Sequence, residues 1–490
     1  MRTWIAGLAV ALLAIALPAR ADGAEIITWQ TDSQFVDPST VSGFNGPSEL
    51  RVNVYLPDGY DPNSPDGYPV LFLLHGVGDA YNSWAGNGKI MEVAAGFDGI
   101  IVMPEADRGY YTNWWNGGRR GDPAWERYHL DELIPLVEDQ LPIRPGRRWH
   151  AIYGFSMGGM GAMFYASQRP GYFGSAGASQ GTLSLQRPQF QAEPAFRAFN
   201  EQDPEAIFGD PQAQEFYWAG HNPTKLVSNL AHTRLYVAVG DGVPAPDERP
   251  GPGQLAELEV RQQSEEFVAA ARAAGLEVTY RPQQGTHDWP SRRRHLAYAI
   301  DEWGLFEPVD EAPTTWSYKT VAQFGDMWGF GFAFAAAPEQ LITFSREGDL
   351  LLGSGSGSVE IVTPAGCRFV ATLPFERALS DVCGPPAGAF GVPDTSPPNT
   401  IITKAPKKKR AKPNAKLKFV SDEPGSTFEC QLKGKKAKKK LQQFAPCSSP
   451  AKYRKLKPGK YKFRVRAIDP TGNVDPTPAK KTFRRRPPVG

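Results

Sequence analysis

The sequence predicts an α/β fold with a mostly parallel sheet and helices on both faces, followed by two small all-β modules. Residues 22 to 304 alternate apolar runs with segments of helical periodicity. Residues 316 to 385 alternate apolar and small residues, and later segments show short strand patterns between turn residues. The 490 residues are too many for one compact domain. The expected divisions are a leader at 1–21, an α/β domain at 22–305, a β module at 306–385, a Pro-rich linker at 386–398 and a basic β module at 399–490.

Short apolar runs in the first domain predict buried strands, because strands covered on both faces are apolar throughout. They are Tyr68–Leu74, Gly99–Met103, His150–Tyr153 and Leu235–Val239, and Val278–Arg281 predicts one strand more. Apolar residues at helical spacing predict helices over Trp125–Leu141, 254–274 and 291–304.

Strand patterns in the two β modules are shorter. They are Phe330–Phe334, Val359–Val362, Phe419–Val420, Thr427–Leu432 and Tyr461–Ala467. The alternating glycines and serines of Gly353–Ser358 predict a turn or a flexible loop.

The first 21 residues have the pattern of a secretory signal peptide. Arg2 gives a positive start, Trp4–Leu17 is apolar, and Ala19-Arg20-Ala21 is a cleavage site of small residues. The alternative, a membrane anchor, is disfavoured because the apolar run is shorter than the roughly 20 residues of a span. We therefore expect a secreted protein, either free outside the cell or associated with the cell envelope.

The number of cysteines, four, is consistent with export to an oxidising compartment. An even number in a secreted chain predicts disulfides among Cys367, Cys383, Cys430 and Cys447, with three possible connectivities. Pairing between sequence neighbours would close one loop in each β module. Because no cysteine precedes residue 367, the α/β domain cannot use a thiol nucleophile.

Charge is distributed unevenly along the chain. Residues 401 to 490 contain 27 Lys and Arg against 5 Asp and Glu, a net charge of +22, whereas the preceding residues carry −20. The basic module has two interpretations: a solvated spacer, or a clamp on anionic cell-envelope polymer or lipid headgroups. Nucleic acid is not an expected partner of an exported protein.

The main chemical signal is Gly154-Phe155-Ser156-Met157-Gly158, a G-x-S-x-G motif after a buried strand and before a small-residue helix. This is the setting of the nucleophile elbow of α/β-hydrolase folds, in which a sharp turn presents the serine at a helix N-terminus. The alternative is a strand–helix turn of small residues with no chemistry. The context predicts that Ser156 is a nucleophile.

A serine nucleophile needs a base, and His287 is the candidate. It lies in the loop Gly285-Thr286-His287-Asp288-Trp289, after a predicted strand and before the last helix of the domain. In this fold the triad follows the order serine, acid, histidine. Among the seven histidines, only this one satisfies both the order and the loop position.

The acid and the oxyanion donors are less sharply defined. Asp241 follows the strand Leu235–Val239, Glu257 begins the next helix and Asp247 is a weaker third candidate; position alone favours Asp241. One oxyanion donor is the backbone N–H of Met157, and the glycine-rich loop 74–79 predicts the N–H of Val77 as the second.

Several short motifs in order resemble the esterase D superfamily, and most closely its mycolyltransferase-like antigen 85 branch. They are L-L-H-G-V-G-D-A-Y-N-S-W (73–84), Y-Y-T-N-W-W (110–115), W-E-R-Y (125–128), G-F-S-M-G-G (154–159), T-R-L-Y-V-A-V-G-D-G-V-P (233–244) and G-T-H-D-W (285–289).

The resemblance implies a different acid. The branch carries its acid on the helix after the strand, in a pattern E-x-x-V-R-x-x-S/N-x-x-F that begins here at Glu257, whereas Asp241 falls where the family has asparagine. We therefore assign Glu257 and keep Asp241 as the alternative. His75 and Gly78 replace an aspartate and an arginine of the sugar-transferring members, which favours ester hydrolysis over transfer to trehalose.

Aromatic residues predict either core packing or an acyl or sugar pocket. The candidates for pocket lining are Trp114, Trp115 and Trp289, and Glu126 is expected to make a structural contact. No metal or nucleotide motif is present in the sequence, so no metal or cofactor is expected.

Together these features predict a secreted serine esterase or acyltransferase that forms a Ser acyl-enzyme on acyl lipids or acylated sugars. The alternatives are a non-catalytic cell-envelope adhesin on a hydrolase scaffold and a carbohydrate esterase that deacylates polysaccharide. The last module, with S-D-E-P-G-S-T-F-E-C and R-A-I-D-P-T-G-N-V-D, resembles immunoglobulin-like modules of secreted actinobacterial proteins.

Overall fold

The computed structural model describes most of the chain. The described residues are 23–38, 49–115, 123–191, 204–383, 397–406, 409–410, 413–421, 426–468 and 474–487. The predicted signal peptide and most of the predicted linker lie outside them. Contacts divide the chain into two compact units, Met1–Val382 and Cys383–Gly490.

An eight-stranded sheet forms the centre of the first unit. Its strands are β1 (Glu25–Thr31), β2 (Leu50–Leu56), β3 (Val70–Leu74), β4 (Ile100–Pro104), β5 (His150–Phe155), β6 (Ser175–Ser179), β7 (Arg234–Val239) and β8 (Val278–Pro282). The order across the sheet is β1-β2-β4-β3-β5-β6-β7-β8. The β1–β2 and β2–β4 pairs are antiparallel. All other neighbouring pairs, β4–β3, β3–β5, β5–β6, β6–β7 and β7–β8, are parallel. The predicted mostly parallel sheet is confirmed.

Helices cover both faces of this sheet, as the apolar character of β3 to β7 requires. They are Ile90–Val93, Trp125–Arg127, Ile134–Gln140, Met157–Gln168, Pro188–Gln191, Pro204–Phe208, Glu215–His221, Gly253–Ala273 and Trp289–Tyr298. The helix expected over Trp125–Leu141 is present, with a wider π-helical stretch at Tyr128–Leu133. A second π-helical stretch, Ala299–Trp303, extends the last helix.

A second sheet follows in the same unit. Its antiparallel strands are β9 (Thr315–Thr320), β10 (Phe324–Met327), β11 (Phe330–Phe334), β12 (Ile342–Glu347), β13 (Leu350–Val362) and β14 (Arg368–Ala378). This sheet contacts the α/β region directly, because Asn229 donates to the Lys319 carbonyl of β9 at 2.9 Å. The segment before β9 also contacts that region: Arg147 donates to the Asp310 carbonyl at 2.8 Å.

The loop predicted at Gly353–Ser358 is wrong, because these residues lie inside β13. A Cβ on Gly353 would stand 2.4 Å from the Phe375 ring, so the missing side chain lets β14 pack closely. The register of β13 against β14 shifts between Gly353 and Gly357, which marks a β-bulge. The glycines therefore accommodate a neighbouring strand and a bulge.

The second unit contains two small sheets around one apolar core. A three-stranded sheet has the order β15-β17-β20 and a five-stranded sheet the order β16-β22-β21-β18-β19. The strands are β15 (Thr400–Lys404), β16 (Lys409–Arg410), β17 (Ala415–Ser421), β18 (Thr427–Lys433), β19 (Ala445–Cys447), β20 (Ala451–Tyr453), β21 (Gly459–Ile468) and β22 (Ala479–Arg485). The three strand patterns expected here are confirmed; the immunoglobulin-like assignment stays a prediction.

All four cysteines are disulfide-bonded. Cys430 and Cys447 form one disulfide, which links neighbouring strands β18 and β19. Cys367 and Cys383 are disulfide-bonded as well. Within the described residues, no helix has the length and apolar composition that crossing a membrane requires.

Candidate active site

Ser156 occupies a strained turn between β5 and the helix Met157–Gln168. Its backbone has φ 54° and ψ −122°, a conformation that non-glycine residues rarely adopt. A Cβ on Gly154 would lie 2.2 Å from the Gly158 carbonyl oxygen, and one on Gly158 would lie 2.5 Å from the His75 carbonyl oxygen. The elbow therefore depends on glycine on both sides of the serine.

The imidazole of His287 joins this serine to a carboxylate. The Ser156 hydroxyl lies 3.0 Å from Nε2 of His287, and Nδ1 lies 3.0 Å from Oε2 of Glu257. Two hydrogen bonds fix the backbone of His287: its N–H donates to the Gly253 carbonyl at 3.1 Å, and Arg292 donates to the His287 carbonyl oxygen at 3.1 Å. The three side chains come from different elements and form one hydrogen-bonded chain.

Glu257 lies on the buried face of the helix Gly253–Ala273 and has no exposed surface. Its second carboxylate oxygen accepts a short hydrogen bond from the Gly240 backbone N–H at the end of β7. Both oxygens of this buried carboxylate are therefore bonded, as burial of a charged group requires.

The alternative acids have other roles in the structure. Asp241 accepts backbone hydrogen bonds from Val243 at 2.9 Å and Gly285 at 3.2 Å, so it fixes the turn after β7. Asp247 forms a surface ion pair with Arg294. Of the three candidates, the structure brings only Glu257 to His287.

Burial lowers the pKa of His287 below its ordinary value, and the nearby Arg292 charge acts in the same direction. The hydrogen bond and the charge of Glu257 oppose this shift. The net lowering keeps the ring neutral at pH 7, so Nε2 can accept the serine proton. An imidazole in this state suits a general base.

Both expected oxyanion donors belong to this region. Met157 follows the serine as the first residue of the Met157–Gln168 helix, where backbone N–H groups have no intrahelical partner. Val77 lines the same cavity as Ser156 and His287. A Cβ on the preceding Gly76 would lie 2.4 Å from the Phe155 ring, so this loop lies tightly against the elbow.

A cavity of about 290 Å³ opens in front of the serine. Its walls are largely apolar, with a few polar side chains, and we call it the Ser156 cavity. The described lining side chains include Val77, Tyr110, Phe155, Thr182, Phe190, Val260, Gln263 and Arg292. Apolar walls with a few polar groups are typical of small-molecule sites.

The three tryptophans predicted to line an acyl or sugar pocket, Trp114, Trp115 and Trp289, are not among the described residues that line the Ser156 cavity. Trp289 packs edge-on against Phe155, with ring centroids 4.9 Å apart, and so supports the cavity wall from behind. Trp115 packs against Tyr217 at 5.0 Å. Trp114 donates to the Gly109 carbonyl at 3.1 Å and lines a different cavity. Packing of the surrounding helices decides which aromatic faces reach the serine.

Sequence reasoning missed Arg292, a buried residue of the last helix of the α/β region. Its guanidinium carbon lies 4.0 Å from the centroid of the Phe155 ring, and the side chain lines the Ser156 cavity. Its distance to the Asp79 carboxylate is 3.9 Å. The only signal in the sequence is a run of three arginines five residues after His287, which does not distinguish the buried one.

Arg187 was also missed. It ties the short helix Pro188–Gln191 to the helix Gly253–Ala273 through contacts with Glu259 at 3.0 Å, Gln262 at 2.6 Å and Glu266. Because Phe190 belongs to the tied segment, Arg187 sets the position of one wall of the Ser156 cavity.

The sheet order, the elbow and the serine–imidazole–carboxylate chain define the α/β-hydrolase class. The chain belongs to the esterase family: residues 46–300, more than half of the chain, match the family model described as "Putative esterase".

Individual relatives agree with this membership. Esterase Rv1288 of Mycobacterium tuberculosis is 30% identical over 231 residues, which are 46% of this chain and 49% of that protein. The MPT51/MPB51 antigen of Mycobacterium bovis is 31% identical over 213 residues, 40% of this chain and 69% of the antigen, which confirms the expected branch. This chain spans about half the length of the first curated relatives it matches.

One similar solved structure is FphF, a fluorophosphonate-binding serine hydrolase of Staphylococcus aureus. It covers 58% of this chain and 100% of its own, at 18% identity and a TM-score of 0.46.

Proposed function

We propose that the protein is a serine esterase or acyltransferase whose Ser156 forms an acyl-enzyme with an ester substrate. The observation that carries the proposal is the continuous hydrogen-bonded chain of Ser156, His287 and Glu257, with both distances at 3.0 Å. A scaffold used only for binding, as in the adhesin alternative, has no chemical reason to keep these three groups in register.

In the first half-reaction Ser156 Oγ attacks the ester carbonyl while His287 Nε2 accepts the hydroxyl proton. Glu257 stabilises the resulting imidazolium and keeps the remaining proton on Nδ1. The backbone N–H groups of Met157 and Val77 donate to the oxyanion. Collapse breaks the ester C–O bond, and the alcohol leaves with the proton from His287.

In the second half-reaction a water or an acceptor hydroxyl gives its proton to His287 and attacks the acyl carbonyl. The bond between the acyl carbon and Ser156 Oγ then breaks, and His287 returns the proton to Oγ. Water gives hydrolysis, and a sugar hydroxyl gives acyl transfer. His75 supports hydrolysis. It is buried and bonded to the Ala106 backbone N–H at 3.0 Å, in place of an aspartate that the sugar-transferring branch carries.

The substrate class follows from the Ser156 cavity. Apolar walls and a volume of about 290 Å³ favour a short to medium acyl group or an aromatic acid, carried by a lipid or a sugar. The test is turnover of p-nitrophenyl esters from acetate to palmitate, each with and without neutral sugar acceptors. Hydrolysis that falls beyond medium chains supports the proposal; no turnover of any ester by the intact chain contradicts it.

Secretion is the second part of the proposal. The pattern of residues 1–21 and the bonded cysteines, including the Cys430–Cys447 disulfide, support an oxidising compartment outside the cytoplasm. Accessibility of the protein to an impermeant label in intact producing cells, or its presence in culture medium, tests this.

The third part concerns the basic β module, 399–490, for which we propose a clamp on anionic cell-envelope polymer or lipid headgroups. Strands in its sheets place cations directly opposite one another, which destabilises a sheet unless an anion lies over it. The like-charged pairs include Lys404 with Lys418, Lys416 with Lys452, Lys433 with Lys462, Lys460 with Arg484 and Arg464 with Lys480. Their number favours the clamp over the spacer.

Co-sedimentation with phosphatidylglycerol vesicles and, separately, retention on immobilised polyphosphate test the clamp and distinguish lipid from polymer. Binding should weaken steeply with salt, since exposed charges more than about 8 Å apart are largely screened at physiological ionic strength. Neutralising Lys460, Lys462 and Lys480 to glutamine should reduce binding, whereas Lys89→Gln, an exposed lysine of the other unit, should not. Salt-independent binding contradicts the clamp.

A further inference from the structure

A second cavity, of about 300 Å³, lies in the first unit and shares no lining residue with the Ser156 cavity among the residues described. Its walls come from the helical segment after Trp125, the helices Met157–Gln168 and Glu215–His221, and the second sheet near Phe324. It also accounts for the motif Trp125-Glu126-Arg127-Tyr128, which the Ser156 site does not use. We call it the Glu126 cavity.

The inner wall of the Glu126 cavity is polar. One carboxylate oxygen of Glu126 accepts a hydrogen bond from the Asn113 side chain at 2.8 Å, the single hydrogen bond of this carboxylate within the described residues. A carboxylate has about four acceptor sites, so most of its capacity is unused. Burial raises the pKa of Glu126 from its ordinary value to about 7. A half-buried carboxylate with free acceptor sites at a cavity wall is suited to hydrogen-bonding a ligand.

Acidic and basic side chains are equally numerous around this wall. Asp131 pairs with Arg169 at 2.6 Å and with Arg127 at 3.3 Å, so the four ionisable groups with Glu126 are two acids and two bases. A cationic ligand would face two guanidinium groups, and an anionic ligand would face two carboxylates. The balance favours a ligand that is polar and uncharged.

The remaining walls are aromatic. Trp114, Phe164, Tyr217 and Phe324 line the cavity, and Phe324 is 44% exposed at its mouth. His221 also lines it: Nδ1 lies 2.7 Å from the Tyr217 carbonyl, and burial lowers the His221 pKa to about 4. The ring is therefore neutral, and Nε2 is an acceptor. Flat apolar faces beside acceptors and guanidinium donors match the alternation of C–H faces and hydroxyls on a sugar ring.

We propose that the Glu126 cavity is a binding site for a neutral saccharide, separate from the Ser156 cavity. The hydroxyls of the sugar donate to Glu126 and His221 and accept from Arg169, while a ring face packs on the aromatic wall. The site would hold a glycan against the enzyme independently of the chemistry at Ser156.

The test uses the full chain carrying Ser156→Ala, so that no substrate turns over. Ligand-observed NMR and calorimetry measure binding of maltose, cellobiose and xylobiose, with glucosamine and glucuronate as charged comparisons. At least one neutral disaccharide should bind, and both charged sugars should bind more weakly. Failure of all three neutral disaccharides to bind, or tighter binding of a charged sugar, overturns the proposal.

Two matched variants locate the site. Ala337 is exposed and lines the cavity, so Ala337→Trp should fill its mouth and weaken binding by at least about tenfold. Ala335 is exposed on the same loop but does not line the cavity, and Ala335→Trp should leave affinity unchanged. Glu126→Gln should weaken binding by at least about fivefold, since one acceptor oxygen is replaced by an amide group that can only donate. Equal affinities for both tryptophan variants overturn the assignment.

A kinetic control separates this site from the catalytic proposal. In the background with Ser156 intact, Ala337→Trp should leave kcat and KM for p-nitrophenyl acetate unchanged. Loss of that activity together with sugar binding would show that the two cavities are not separate and would overturn the inference, while the catalytic proposal would stand.

Discussion

Replacing Glu257 by glutamine tests the arrangement of the triad. One carboxylate oxygen of Glu257 accepts from the Gly240 N–H, and the other contacts His287 Nδ1. In the glutamine variant the carbonyl oxygen stays bonded to Gly240, so the new NH2 group faces His287 Nδ1. An amide N–H cannot accept the Nδ1 proton. The imidazole therefore moves its proton to Nε2, where it points at Ser156 and can no longer act as a base.

The size of the effect follows from the geometry. Oε2 of Glu257 lies 3.0 Å from Nδ1, which places the centres of the two charges roughly 4 Å apart in the imidazolium state. Two unit charges at about 4 Å interact by about 4 kcal/mol at an effective dielectric constant near 20. Loss of that stabilisation lowers kcat by about 10³-fold, since about 1.4 kcal/mol corresponds to tenfold.

The assay is steady-state hydrolysis of p-nitrophenyl butyrate, with circular dichroism to establish folding of each variant. Asp241→Asn is the matched control, because an asparagine oxygen can still accept the Val243 and Gly285 N–H groups, and its kcat should stay within about threefold. A smaller loss for Glu257→Gln than for Asp241→Asn would refute the reasoning and make Asp241 the acid.

Three further predictions follow from the same geometry. Burial lowers the pKa of His287, and this imidazole must be neutral to act as a base. The value of kcat/KM should therefore rise with pH to a plateau, with a midpoint below about 6.5. A midpoint above about 7 in the pH–rate profile would contradict this. Gly158→Ala should lower Tm by at least about 5 °C, since a Cβ there lies 2.5 Å from backbone oxygen, whereas Gly251→Ala, with nothing within 4 Å, should not; equal melting curves count against the tight elbow. Arg187→Ala should raise KM for p-nitrophenyl octanoate by about threefold or more, because it loosens the wall that contains Phe190. The control is Arg261→Ala, which removes an ion pair with Glu265 within the helix Gly253–Ala273 and should leave KM unchanged. An unchanged KM for Arg187→Ala would show that the contacts of Arg187 do not shape the cavity.

Much of the fold could be predicted from the sequence because its central strands are buried on both faces. β3, β4 and β5 are buried along their whole length and are mostly apolar, and such runs have few alternatives to a covered parallel sheet. Gly353–Ser358 shows the limit: composition favoured a loop, but the packing of Phe375 against Gly353, a contact remote in sequence, made it a strand.

The catalytic candidates were predictable to different degrees for a physical reason. The elbow is local, so Ser156 and its glycines are visible in five consecutive residues. The acid is not local: strand-end position favoured Asp241, and the family pattern was needed to select Glu257. Arg292 and the pocket tryptophans depend on which face of a helix or loop turns inward, and that is decided by tertiary packing rather than by the motif itself.

The most direct measurement is the identification of the nucleophile. The full chain, treated with a fluorophosphonate and digested, should carry a single adduct on the peptide that contains Ser156, with loss of esterase activity in the same proportion. Ser156→Ala should take up no label and lose at least about 10⁴-fold in kcat. An adduct on another residue, or hydrolysis by Ser156→Ala within a few-fold of the unmodified chain, would contradict the account.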